Sequence, residues 1–207
     1  MEKEPNLDRS AQYLLAEMQT INEKATLYEQ IKSNRVNFFL LIVGATGASF
    51  SFLSRHPALK GYEIWLAQAL SILVLVLGFF ILRDMTEYSA AIIFQYRWAG
   101  RIRRWFLEDN LSLEKHLPFR AVDDRPKFTE SNIFWKSSET IILLINCYLF
   151  ALIIGLLFYS LSIVLAIVSA LIGGIIFWFV QRFYTTSKMK RFENSNYAKR
   201  TIYFPSE

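Results

Sequence analysis

Along the chain, apolar residues fall into blocks that are too long and too uniform for the half-buried elements of a water-soluble core. Two lie in the first half: Asn37 to Ser54 (NFFLLIVGATGASFSFLS) and Ile64 to Leu82 (IWLAQALSILVLVLGFFIL). A third block, without a charged residue, runs from Thr140 to Val180. A helix crosses ~30 Å of hydrocarbon with about 20 mostly apolar residues, and the first two blocks match that length. The third block would run about 60 Å as one helix, so it must turn back. Tyr159, Ser160, Leu161 and Ser162 sit near its middle. The spacing therefore predicts helices over about Thr140–Tyr159 and Leu161–Val180. A soluble helix shows a polar face, whereas 70–82 and 141–157 are apolar nearly all round. The expected fold is all-α: an integral membrane protein with four transmembrane helices in two hairpins and cytoplasmic helical extensions of the first hairpin.

The polar stretches between the blocks have patterns of their own. From Ser10 to Asn34 there is no Gly or Pro, and Leu14, Met18, Ile21, Ala25 and Tyr28 recur at alternating four- and three-residue steps. That spacing makes one apolar seam on an amphipathic helix. After the second span, Met85, Tyr88, Ile92, Gln95, Ala99, Ile102 and Phe106 recur in the same way. The two seams predict a helix before span one packed on a helix after span two. Pro118, Asp123, Asp124, Pro126 and Lys127 then mark an irregular loop. The expected divisions are a cytoplasmic amphipathic helix over 1–36, hairpin one over 37–82 and a basic, aromatic helix over 83–117. A loop over 118–138, hairpin two over 139–180 and a cytoplasmic segment over 181–207 complete the chain.

Charge sets the expected orientation. The net charge is +5. Lys32 and Arg35 precede the first span, and Arg83, Arg97, Arg101, Arg103 and Arg104 end or follow the second. Lys127 and Lys136 precede the third, and Arg182, Lys188, Lys190, Arg191, Lys199 and Arg200 follow the fourth. The 55–63 connection carries only Arg55 and Lys60, and the connection between the last two spans carries no charge. An excess of Lys and Arg marks cytoplasmic flanks, so both termini are expected in the cytoplasm and the protein in the cytoplasmic (inner) membrane. Tyr62 and Trp65 suit an outer aromatic belt; Phe134, Trp135 and Trp178 suit an inner one. The N-terminal MEKEPNLDRS is acidic and polar, unlike a cleavable signal peptide.

Candidate chemistry is sparse. In RWAGRIRRWFLED, Arg97, Arg101 and Arg104 share a helix face while Arg103 lies off it, with Trp98 and Trp105 interleaved. Guanidinium groups bind phosphate bidentately and stack on aromatic rings. This run, joined by Lys188, Lys190 and Arg191, reads either as contact with lipid headgroups that also fixes topology or as a site for a phosphorylated or nucleotide ligand. Gly44 with Ala48, and Gly47 with Ser51, form small-xxx-small pairs, as do Ser169 with Gly173 and Ala170 with Gly174. Such pairs let helix backbones approach, within a protomer or in a homo-oligomer. Gln68 and Asn146 are polar amides inside spans, suited to an interhelical hydrogen bond or to an oligomeric pore. No acid, base or His occupies a span centre, which weighs against proton relays and voltage sensing. Cys147 is the single cysteine, His56 and His116 are isolated, and no phosphate loop or nucleophile elbow appears. No catalytic residue, metal site or cofactor is expected, and the chain is not expected to be an enzyme.

The helix leading into VNFFLLIVGATGASF and the run EYSAAIIFQYRWAGRIRRWF after the second span give the first half a layout that resembles the SLATT type of small helical membrane effector. These belong to bacterial defence and conflict systems and pair a membrane hairpin with long cytoplasmic helices. The resemblance implies an oligomer that forms a pore, an ion channel in the broad sense, when infection or a nucleotide signal is sensed. It is architectural, covers roughly the first half of the chain and assigns no residue; the second hairpin lies outside the two-span pattern. The functional expectation is an oligomeric membrane protein that forms or regulates a pore, as an antiviral effector controlled from its cytoplasmic helices. The alternative is a non-conducting anchor that recruits a soluble cytoplasmic partner.

Overall fold

The computed structural model describes residues 7–107, 122, 124–128 and 138–195. It contains helix α1 (Leu7–Leu53), a short 3-10 turn (Pro57–Leu59), helix α2 (Glu63–Leu107), helix α3 (Glu139–Phe158) and helix α4 (Ile163–Asn194). No strand occurs among the described residues. All four helices are long and apolar enough to cross a membrane. The expected continuation of α2 to 117 lies outside the described residues, as do His116, Pro118, Asp123, Phe134, Trp135, Lys136, Lys199, Arg200 and the closing TIYFPSE.

Helices α1 and α2 have 47 and 45 residues. At ~1.5 Å per residue each is about 70 Å long, more than twice the hydrocarbon thickness. Neither contains a proline that would break it. The chain reverses between them through Gly61, whose φ of 93° falls in the region that side chains disfavour. The Gly61 N–H donates to Glu63 Oε2 at 2.8 Å, fixing the turn at the start of α2. The uncharged block turns back within the four expected residues. Leu161 and Ser162 donate their N–H groups to the Phe158 carbonyl, and the Ser162 carbonyl accepts from Ala166 in α4.

The chain forms two compact units. The first comprises Met1–Ile31, Glu87–Glu130 and Lys188–Glu207; the second comprises Lys32–Thr86 and Ser131–Ser187. In the first unit, Ile21 of α1 packs with Ala99 and Ile102 of α2, and Leu14, Met18 and Trp98 close around them. The rings of Tyr28 and Tyr88 lie 5.9 Å apart in the same seam. The expected seam is thus the packing face of α1. Val122 and residues 124–128 dock on α2, although their composition predicts only an irregular loop. Phe128 is wholly buried and meets Phe94 edge-on at 5.0 Å. At Gly100 the α2 backbone lies so close to the Val122 carbonyl that a Cβ would collide with its oxygen. Lys188 of α4 pairs with Glu87 of α2 at 2.7 Å.

In the second unit all four helices share one core. Val36 and Phe39 of α1 meet Val74, Ile81, Leu82 and Met85 of α2 and Ile142 and Leu143 of α3, with Trp178 of α4 packed against them. Inside a bilayer such packing gains little from transfer out of water, so fit between surfaces carries the stability. The tightest approach is at Gly78, where a Cβ would overlap the Asn146 side chain and sit 2.7 Å from Phe39 Cζ. Helix propensity alone favours Ala over Gly by about 1 kcal/mol. Overpacking a fitted core costs about 1–3 kcal/mol. Gly78→Ala should therefore lower the thermal unfolding midpoint in detergent; an unchanged or raised midpoint would show that the contact is not tight.

Candidate functional site

The basic run separates into groups with different surroundings. Arg97 is 4% exposed. Its Nε–H donates to the Pro126 carbonyl at 3.1 Å, and its guanidinium lies 4.5 Å above the Phe128 ring. A planar cation can satisfy a carbonyl and an aromatic face at once. Arg97 therefore holds the docked segment to α2 and turns away from any external phosphate, in contrast to its expected grouping with Arg101 and Arg104. Arg101, Arg103 and Arg104 are partly exposed, and Trp105 and Phe106, in edge contact at 5.0 Å, remain accessible beside them. Lys188 is engaged by Glu87, while Lys190 and Arg191 are exposed on the last turns of α4. These residues, together with the docked segment, all belong to the first unit.

The second unit buries polar groups at two levels. Lys32 of α1 and Glu139 of α3 approach to 3.5 Å with side chains only 5% and 3% exposed. Deeper along α3, Asn146 is fully buried and donates from Nδ2 to Gln181 Oε1 of α4 at 3.0 Å. Gln181 in turn points Nε2 at Cys147 Sγ, 3.3 Å away. Asn146 Oδ1 is buried without a hydrogen-bond partner and abuts Gly78 of α2. A Cα–H of glycine is a weak donor, and such contacts recur between closely packed helices. Gln68 is 7% exposed on the buried side of α2. The two amides named as pore candidates thus lie inside the protomer, where one of them makes the interhelical bond that was the other reading.

The two sets of small residues also part. A Cβ at Gly173 would lie 3.3 Å from the Ile154 side chain, and one at Gly174 3.3 Å from the Ala151 Cβ, so the α4 pairs are consumed by contact with α3. A Cβ at Gly44 or Gly47 would meet nothing within 4 Å beyond its own helix. Sequence reading treats both sets alike because both have the same spacing. It counts Lys32 as a flanking charge and leaves Glu139 unremarked, because burial of an ion pair depends on which helices become neighbours.

Two outcomes follow from these contacts. Removing one partner of a buried ion pair costs about 3–5 kcal/mol, while replacing both by apolar residues is often neutral. Glu139→Gln should destabilise the protein strongly in detergent melts, and the double change Lys32→Met with Glu139→Leu should recover most of the loss. If the single change alone is neutral, the pair is solvated. Separately, Arg97→Ala should make the protein more sensitive to trypsin at Lys127, and equal cleavage rates would show that Arg97 does not hold the segment.

Comparison of the chain with known protein families, with curated proteins and with solved structures finds no match.

Proposed function

We propose that this protein is a self-associating membrane protein that forms or regulates a pore, with the second half of α1 as the contact between copies. The observation that carries the reading is the division of α1 in the second unit into three faces. Val36 and Phe39 are buried in the core. Phe38, Leu41 and Phe52 are 53%, 68% and 75% exposed and suit lipid chains. Asn37, Gly44, Gly47, Ala48 and Ser51 form a third face, small, weakly polar and exposed. Bare backbone gains little from lipid but permits close approach of another helix, where packing drives association. The Ser51 hydroxyl already bonds back to the Gly47 carbonyl at 3.1 Å, so the face tolerates hydrocarbon, a neighbouring helix or water.

The topology that accompanies this reading is two membrane hairpins in the cytoplasmic membrane, with both termini and the first unit in the cytoplasm. Lysine and arginine distribution supports it even with Lys32 set aside as an ion-pair member. Arg101, Arg103, Arg104, Lys190 and Arg191 then present cations to anionic lipid or to a phosphorylated ligand that controls the assembly. The SLATT-like layout of the first hairpin supports an effector role in bacterial defence. The reading assigns the chain no catalytic chemistry. A non-conducting anchor for a soluble partner is the competing reading, favoured by the exposed Trp105 and Phe106 beside those cations.

Proteoliposomes separate the two. Wild-type protein should be oligomeric in mild detergent and should pass ions, alone or with phosphorylated nucleotides as trial ligands. Gly44→Leu and Ala48→Leu should both reduce the oligomer and abolish flux while leaving the protomer folded. A monomer that passes no ions under any of these conditions would overturn the pore reading in favour of the anchor.

A further inference from the structure

The hairpin of α3 and α4, inside the second unit, carries an open groove of about 610 Å3, within the ~300–1,000 Å3 range of small-molecule sites. Among the described residues, α3 and α4 alone line it. Its floor is made of Ala151 and Gly155 on α3 and Ala166, Ala170 and Gly174 on α4. A Cβ at Gly155 would lie 3.2 Å from the Ala170 Cβ, so the two backbones come close along the floor. Leu152 and Leu156 rise on one side, and Ile167 and Leu171 on the other. The polar side-chain groups of the lining stand at its ends: Tyr159 beside the turn, and Cys147 and Tyr148 at the far end. There Gln181 of α4 reaches Cys147 Sγ at 3.3 Å and bridges the two helices.

We propose that this groove holds one acyl chain of a membrane phospholipid, drawn from the leaflet on the side of the 159–162 turn. The inference rests on the membrane placement of the second hairpin and not on the oligomer. Length identifies the occupant. From Tyr159 to Cys147 on α3, and from Ile163 to Ile175 on α4, the groove runs about 18 Å at the helical rise. One leaflet of hydrocarbon is about 15 Å deep, half of the ~30 Å core. A chain whose headgroup sits at the turn therefore reaches the Cys147–Gln181 bridge and stops there. A spanning helix of another copy would need a matching face across the full core, about twice that depth. At the turn, Tyr159, Ser160 and Ser162 are exposed, and their hydroxyls suit the ester and phosphate oxygens of a headgroup. No Lys or Arg lies between Glu139 and Gln181, so the site selects the chain rather than an anionic headgroup. Bulk lipid solvates an apolar helix well, so retention has to come from fit. A chain in the trough touches protein on three sides, and each added dispersion contact favours it over a chain lying on one open face.

Photolabelling of the full chain in vesicles of phosphatidylcholine, doped with a phosphatidylcholine whose acyl chain bears a diazirine, tests this. Labelled peptides are mapped by mass spectrometry, and retained lipid is counted by native mass spectrometry after transfer to detergent. Wild-type protein should keep one phospholipid per protomer and concentrate label on 147–159 and 163–175. Ala170→Phe fills the floor and Ile167→Trp covers the trough from its exposed wall, so both should lose the retained lipid and the concentrated label. Ile172→Trp, exposed on α4 outside the groove, should keep both. If Ala170→Phe fails to fold, Ile167→Trp decides. Even labelling of all exposed apolar positions with no retained lipid would overturn the site. A dimer that Ile167→Trp dissociates would give the groove to a second copy and overturn it as well. Release of the protein from vesicles by a carbonate wash would instead overturn the membrane placement on which the site rests.

Discussion

Lys32 and Glu139 are two charges that the second unit holds away from water, and they are paired with each other at 3.5 Å. Taking an isolated ion into an apolar interior costs several kcal/mol even after relaxation, of order enough to cancel much of a domain's stability. Pairing them fixes which helices are neighbours: α1, at the start of the first apolar block, must lie beside α3, at the start of the third. Once α1 and α3 are adjacent, the next polar level follows, since Asn146 stands two turns further along α3 and needs its own partner. It finds Gln181 on α4 and the glycine backbone of α2. The core between these levels is apolar and non-directional; the polar contacts give it a specific arrangement.

The elements themselves were largely legible in the sequence, because they depend on local length and composition. An uncharged block twice as long as a membrane is thick must turn, and it turns between Phe158 and Ile163, at the most polar part of its middle. The four-three seam of Leu14, Met18 and Ile21 likewise marks the face that meets Ala99 and Ile102. What was not legible is the fate of residue types that have two good solutions. Arg97 shares a helix face with Arg101 in projection, yet a neighbouring carbonyl and ring draw it inward. That depends on the chain near Pro126 returning to α2, a contact separated by 29 positions in sequence. Gly44 and Gly174 have the same kind of small partner four residues away, but only Gly174 finds a helix against it. A spacing rule records the opportunity for close approach and cannot say which opportunity is taken inside the protomer.

That difference bears on how the protein works. A small-residue pair already packed, as Gly174 is on Ala151, contributes to the fold and is unavailable to a partner. One left open is a cost to an isolated protomer, because it forgoes the dispersion contacts that a larger side chain would make with lipid. The neighbouring exposed positions Phe38, Leu41 and Phe52 show that the same helix supplies large side chains where lipid is the surrounding medium. Selection of small residues on only one of two exposed sides is most simply a division between lipid and another helix. If that helix belongs to a second copy, it offers the same small face in return, and the two backbones can approach along it.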